Sequence, residues 1–305
     1  MALSIDSGVR RKKRRGGGSS AMVAGLLAPS MLLIAVFVVG PVVYALWISL
    51  TNKTLIGFGA QTPKFVGFQN YRQLLTSSDF LHSLSLTGQF VFFSAIVGQF
   101  LLGMLAAVLL TKSTVRAKGL FGGAILLPMV VPEVVASLAW ASMLAPGGLG
   151  TVNRALGFAG VAPVAWLQEH PMSALIVVNT WRGIAFAMIM FQAAIEGISD
   201  DLIEAARIDG AGARQVFRHI TLPLIRGPVF LFLLLTTITT ASVFGLIYFL
   251  TRGGPGDKTQ VTSIYIYEHS FAFFQLGLGS AASVIVLVVV LVLGLTYVRL
   301  SKVEV

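Results

Sequence analysis

A chain of 305 residues that is 56% apolar and only 11% charged, with a mean hydropathy of +0.86, is too rich in apolar surface for an ordinary soluble domain. Its formal net charge is +10, and it contains no cysteine, which excludes disulfides and thiol chemistry. An integral membrane protein with a basic bias fits these figures.

In chain order, a basic tail (1–20) carrying Arg10, Arg11, Lys12, Lys13, Arg14 and Arg15 precedes six charge-poor runs. The runs cover 23–49, 84–110, 120–144, 173–195, 228–250 and 279–298. Each has helix-spanning length, and only helices and closed barrels satisfy their backbone in lipid, so six spanning helices are expected. The tail and first run resemble the start of a signal peptide. The run is too long, however, and passes through Pro41 and Trp47 without a small-residue cleavage site, so it reads as a retained helix. Beside a span, the tail reads as a topology determinant near anionic lipid; no nucleic-acid partner is expected.

If alternate connections are cytoplasmic, that side also receives Lys112, Arg116, Lys118, Arg207, Arg214, Arg218, Arg226, Arg299 and Lys302. The outer side receives Lys53, Lys64, Arg72, Arg154, Arg252 and Lys258, and Arg182 falls within the fourth run. The excess of basic residues on the first set puts both termini in the cytoplasm. The outer connections (51–83, 145–172, 251–278) are too short to be separate domains. Residues 21–305 therefore form one integral domain, without a clear internal repeat.

The cytoplasmic connection 196–227 is the most organised. Asp201 followed by Glu204 has the pattern of an N-cap with its capping-box partner, and Ala205, Ala206 and Ile208 favour a short helix. Gly210 or Gly212 ends it, and a second helix over Val216–Ile220 stops before Pro223. Such a knob either lies on lipid as an amphipathic hairpin or docks a protein; Glu204 and Asp209 beside apolar residues suit docking better.

Glu204-Ala205-Ala206, Asp209-Gly210-Ala211 and Ile220-Thr221-Leu222-Pro223 together resemble the signature loop of permease subunits of bacterial binding-protein-dependent ABC importers. Further stretches are similar to the carbohydrate-importer branch, the relatives of the maltose-type first permease. They are Phe65-Val66-Gly67-Phe68 with Asn70-Tyr71, Trp181-Arg182, Phe249-Leu250-Thr251-Arg252-Gly253-Gly254-Pro255, Tyr265-Ile266-Tyr267 with Phe271, and Gly277 with Gly279-Ser280-Ala281. The resemblance covers about 22–300. It implies an all-α, six-helix permease of the bacterial inner membrane with four kinds of partner: a second permease, two cytoplasmic ATPases, an extracytoplasmic solute-binding protein and a sugar. Glu204, Ala205, Ala206, Asp209, Gly210, Ile220, Leu222 and Pro223 would seat on an ATPase, and Arg252, Gly253, Gly254 and Pro255 would face the binding protein. The chain has no phosphate loop of its own, so ATP and magnesium are expected in the partner ATPases and no enzymatic role or metal site in this chain.

Polar residues within spans are candidates for the solute path, because burying them is costly unless they pair or face a cavity. The fifth run carries Thr236, Thr237, Thr239, Thr240 and Ser242, then Phe244 and Tyr248; the fourth carries Asn179, Arg182 and Gln192; the second, Gln89 and Gln99. Asn179, Gln192, Thr236, Thr240, Phe244 and Tyr248 supply the amides, hydroxyls and rings that a neutral sugar wants. Threonines in membrane helices also bond to their own preceding turn or pack between helices, and that reading stays open. Arg182, placed near the outer end of its span, either snorkels, contacts the binding protein or reads an anionic substrate. Glu133, acidic within the third run, either pairs with Arg182, lines the path or lies shallower. The expectation is a sugar importer; a permease for glycerol-3-phosphate or a related ester is the alternative, and a secondary transporter a more distant one.

Overall fold

The computed structural model describes residues 17–111 and 117–301. The basic residues at 10–15 and Lys112, Arg116 and Lys302, on which the orientation partly rests, lie outside the described residues. The chain divides into two units, Met1–Trp47 and Ile48–Val305. The first contains most of helix α1 (Ala24–Ser49), which is apolar and long enough to cross a bilayer.

In the second unit, α2 (Ser78–Thr111) begins where the Ser77 side chain accepts the Phe80 N–H at 3.4 Å, with Asp79 in the first turn. The third apolar run is not one helix. It folds as α3 (Lys118–Val130) and α4 (Glu133–Met143), which meet at 105°. The break is local chemistry: Val131, preceding Pro132, is pushed into extended backbone (φ −71°, ψ 126°), and no helix continues through that pair. The fourth span is α5 (Pro171–Glu196), with Pro171 in its first turn, where a missing N–H costs nothing.

The fifth run is also discontinuous. After α6 (Asp200–Ile208), helix α7 (Ala213–Leu224) bends by 68° into α8 (Arg226–Ala241), and α9 (Gly245–Leu250) follows a separate break. The short α10 (Thr262–Tyr267) leads to the last span, α11 (Leu276–Ser301). Among the described residues, four helices can cross a membrane alone, and six spans result if each bent pair counts as one.

Helices α2 and α5 approach closely because small residues face large ones. A Cβ at Gly183 would stand 2.1 Å from the Gln99 side chain, so only glycine admits the amide there. Gln99 uses that space as a hub. Its Nε2 donates to the Asn179 carbonyl at 3.1 Å, and its Oε1 accepts the Thr236 hydroxyl at 2.7 Å, tying α2, α5 and α8 together. Below the hub, Met104, Ala107, Phe191, Ile225 and Phe232 form an apolar core.

On the loop side, Asn70 Nδ2 lies 2.8 Å from both the Ser49 and the Thr51 carbonyls, and the Tyr71 hydroxyl meets Ser49 Oγ at 2.6 Å. The Phe65–Tyr71 motif therefore staples the backbone that leaves α1.

Candidate functional site

Two places in the fold gather the functional candidates. The first is the α6–α7 hairpin. Its first helix starts differently from expectation: Ser199 is the N-cap, without a side-chain capping bond, and Asp200 and Asp201 sit inside the first turn. Those carboxylates favour the positive end of the helix dipole, but the Asp201–Glu204 capping box does not form. Glu204 and Ala205 are left on the exposed face, with Ala206 half-buried.

The end of α6 follows from glycine. Gly210 has φ +85°, its N–H bonds to the Arg207 carbonyl at 3.1 Å, and the Ala211 N–H reaches back to the Ala206 carbonyl at 2.9 Å. This pair of bonds is a Schellman closure. Nothing lies within 4 Å of where a Gly210 side chain would begin, so conformation rather than crowding demands glycine. The Gln215 side chain then accepts the Gly212 N–H at 2.8 Å and opens α7.

Helix α7 does not stop before Pro223. A π-turn over Phe217–Thr221 shifts the register so that Pro223 falls in the first turn of a fresh α segment, and the helix ends at Leu224. Val216, Thr221 and Ile225 are buried against the spans, Ile220 and Leu222 are half-buried, and Glu204, Ala205, Asp209, Gly210 and Pro223 stay exposed. A hairpin anchored by one helix and exposed on the other is suited to carry a push. A cleft of about 760 Å³ separates it from the ends of α2 and α5, lined by Thr111, Ile195, Glu204, Arg207 and Phe217.

The second place is the level of the helix breaks. Arg182 is not near the outer end of its span. It lies about 16 Å into the 26-residue α5, near the middle of the helix. Its Nη1 stands 3.6 Å from Glu133 Oε1, the first residue after the break in the third span. The same Oε1 accepts the Leu246 N–H at 2.8 Å, in the first turn of α9. One carboxylate thus joins the broken third span, the fourth span and the broken fifth. Trp140 and Trp181 stack edge to face at 5.6 Å and hold α4 to α5 beside it.

Beyond that contact, Phe244 stacks on Tyr248 at 5.1 Å, and Tyr267 lies 5.0 Å and 5.3 Å from the two rings. Phe271 extends the row at 5.7 Å from Tyr267. A cavity of about 590 Å³ abuts Phe244, Tyr267 and Phe271 of this wall, and Ser242, Ser263 and Ser283 also line it, their hydroxyls donating to the Ile238, Val243 and Gly279 carbonyls.

The remaining polar candidates part company with this wall. Asn179 is buried and donates to Ser94 Oγ at 2.8 Å, Thr236 is committed to Gln99, and Thr240 is only 4% exposed. All three are buried in the helix bundle. Gln192 is half-buried and bonds to Glu196 at 2.8 Å on its own helix. Thr239 returns its hydroxyl to its own helix, at the Leu235 carbonyl. The loop 251–260 is built inward: Gly253 is buried, and the buried Thr259 hydroxyl lies 2.8 Å from both the Gly254 carbonyl and Thr251 Oγ1. Arg252 and Pro255 project to the exposed side, with Gly254 half-buried between them. The Glu133–Leu246 bond, the Gln99 hub and the tryptophan pair join residues far apart in sequence, and no spacing pattern announces them.

Broken apolar spans around a charged contact, with an exposed glycine-ended hairpin on one connection, fit a multi-pass transport permease. Residues 99–302 match the family described as Binding-protein-dependent transport system inner membrane component, and the chain belongs to that family. It is the membrane-spanning permease subunit of an ABC importer and has no catalytic role of its own. It is 32% identical over 247 residues to the trehalose/maltose transport system permease protein MalF of Thermococcus litoralis, covering 80% of this chain and 81% of that one. It is 34% identical over 250 residues to the sn-glycerol-3-phosphate transport system permease protein UgpA of Pectobacterium atrosepticum, covering 81% and 82%. Its fold is similar to a chain of a bacterial ABC transporter involved in the import of the acidic polysaccharide alginate, with a TM-score of 0.78 at 24% identity over 93% of this chain and 96% of that one.

Proposed function

We propose that this chain forms half of the solute path of an ATP-driven importer for a neutral sugar or sugar-like polyol. A second permease supplies the other half, two cytoplasmic ATPases dock on the exposed face of the α6–α7 hairpin, and an extracytoplasmic solute-binding protein delivers the solute near Arg252 and Pro255. ATP and magnesium belong to the ATPases.

The observation that carries the sugar reading is the aromatic wall of Phe244, Tyr248, Tyr267 and Phe271 beside a cavity that three serines also line. A sugar ring presents apolar C–H faces to such rings and hydroxyls to the polar rim. The trehalose/maltose relative supports the same class. Arg182 and the glycerol-3-phosphate relative favour a phosphate ester as the second reading. Identification of the solute that co-purifies with the cognate binding protein, followed by its uptake into vesicles holding the assembled transporter, decides between them. A neutral carbohydrate is expected; a phosphate ester as the sole transported solute overturns the reading.

A further inference from the structure

Glu133 is a member of neither the coupling hairpin nor the row of rings, yet it is an acidic group placed where the third, fourth and fifth spans meet. A guanidinium inside an apolar span, as Arg182 is, is costly when uncompensated. Here Glu133 Oε1 stands 3.6 Å away, and the two side chains are 24% and 34% exposed, so the pair is neither sealed in the bundle nor free in water. The separation is longer than a hydrogen bond, so the charges balance without the donors of Arg182 being consumed. Arg182 Nε itself is buried without a hydrogen-bond partner.

The carboxylate is held from a second direction by the Leu246 N–H at 2.8 Å. Gly245 makes room for it: a Cβ there would stand 3.1 Å from Glu133 Oε2. Leu246 follows Phe244 by two residues and precedes Tyr248 by two, so the same carboxylate places the helix turn that carries the aromatic wall.

We infer that Glu133 is a specificity-determining residue: it cancels the charge of Arg182, so that the path offers hydrogen-bond donors to an uncharged, hydroxyl-rich solute and no net positive site to an anion. This rests on the sugar reading above and names what excludes the phosphate ester. Loss of the carboxylate charge converts the same place into an anion site, because Arg182 is then uncompensated.

The test uses the complete transporter in proteoliposomes, with both permeases, the ATPases and the binding protein. Maltose and trehalose serve as neutral probes, and sulfate is added on the binding-protein side against chloride at matched ionic strength. Glu133→Gln keeps an acceptor for the Leu246 N–H but removes the charge. Sulfate should leave wild-type uptake unchanged, inhibit Glu133→Gln several-fold, and lose its effect again in Glu133→Gln/Arg182→Gln. The same comparison is read without a transported solute as the shift in Tm of the assembled complex, which sulfate should raise in Glu133→Gln beyond the wild type and the double variant. Equal sulfate responses in wild type and Glu133→Gln overturn the inference, as does a double variant as sensitive as the single one. If Glu133→Gln does not assemble, recovery of assembly by the added Arg182→Gln supports the charge balance, and failure of both variants overturns it. A phosphate ester as the sole transported solute overturns the sugar reading instead, while the Tm comparison still judges Glu133.

Discussion

The side-chain oxygen of Gln99 accepts the hydroxyl of Thr236 at 2.7 Å across the α2–α8 interface, while the amide of Gln99 donates to the Asn179 carbonyl at 3.1 Å. With Asn179 in turn bonded to Ser94, Gln99, Asn179, Ser94 and Thr236 are spent on one another. Their presence in apolar helices is explained by bundle cohesion, not by the solute.

Breaking that hub should weaken the permease without selectively changing what it carries. Thr236→Val and Gln99→Ala are each expected to cost about 0.5–2 kcal/mol, with the double variant less than the sum because the two share one bond. Thermal unfolding of the purified complex measures this, and strictly additive losses would show the bond to be inert.

Gly210→Leu forces a side chain into φ +85°, a strain of about 1–2 kcal/mol at an exposed corner. The variant should insert and assemble but lose binding-protein-stimulated ATPase activity, and Gly210→Asn should lose less, since asparagine tolerates that region. Normal coupling by Gly210→Leu would remove the corner from the docking surface.

Glu204→Ala should leave Tm almost unchanged, because Glu204 is exposed and makes no capping bond, and exposed substitutions of this kind usually stay within about 0.5 kcal/mol. A strong fall in stimulated ATPase activity without a change in Tm is the expected signature of a lost contact to a partner. A parallel fall in Tm would point to a structural role instead.

Sidedness is open to a direct measurement in this cysteine-free chain. Single cysteines at the exposed positions Gln61 and Asp257 should react with an impermeant thiol reagent from outside, and one at the exposed Arg218 only after the membrane is opened. Labelling of Arg218→Cys from outside would reverse the orientation.

Phe244→Ala and Tyr248→Ala, each removing a ring from the stacked pair, should lower uptake of a neutral sugar several-fold while leaving the complex assembled. Asn179→Ala should act mainly on stability, since its side chain is buried against Ser94. An uptake defect at Asn179 with unchanged Tm, beside silent ring variants, would relocate the path.

Much of this protein was legible in the order of its residues. Run length and scarcity of charge announced membrane spans, because lipid permits so few backbone solutions, and local chemistry announced the hairpin, because a glycine corner depends on its neighbours alone. Pro132, at one break, and Gly245, which follows the other, sit inside runs that read as continuous. Apolarity reports depth in the membrane but not whether the helix axis is straight. Only the tertiary structure decided which polar residues serve the bundle and which are left over. Asn179 and Phe244 look equally suited to a sugar in one dimension, yet the first bonds to a serine 85 positions away and the second stands in an aromatic wall. Glu133 and Leu246, 113 positions apart, meet because two spans break at the same level. Such pairings depend on helix packing across the bundle, and nothing local in the chain encodes them.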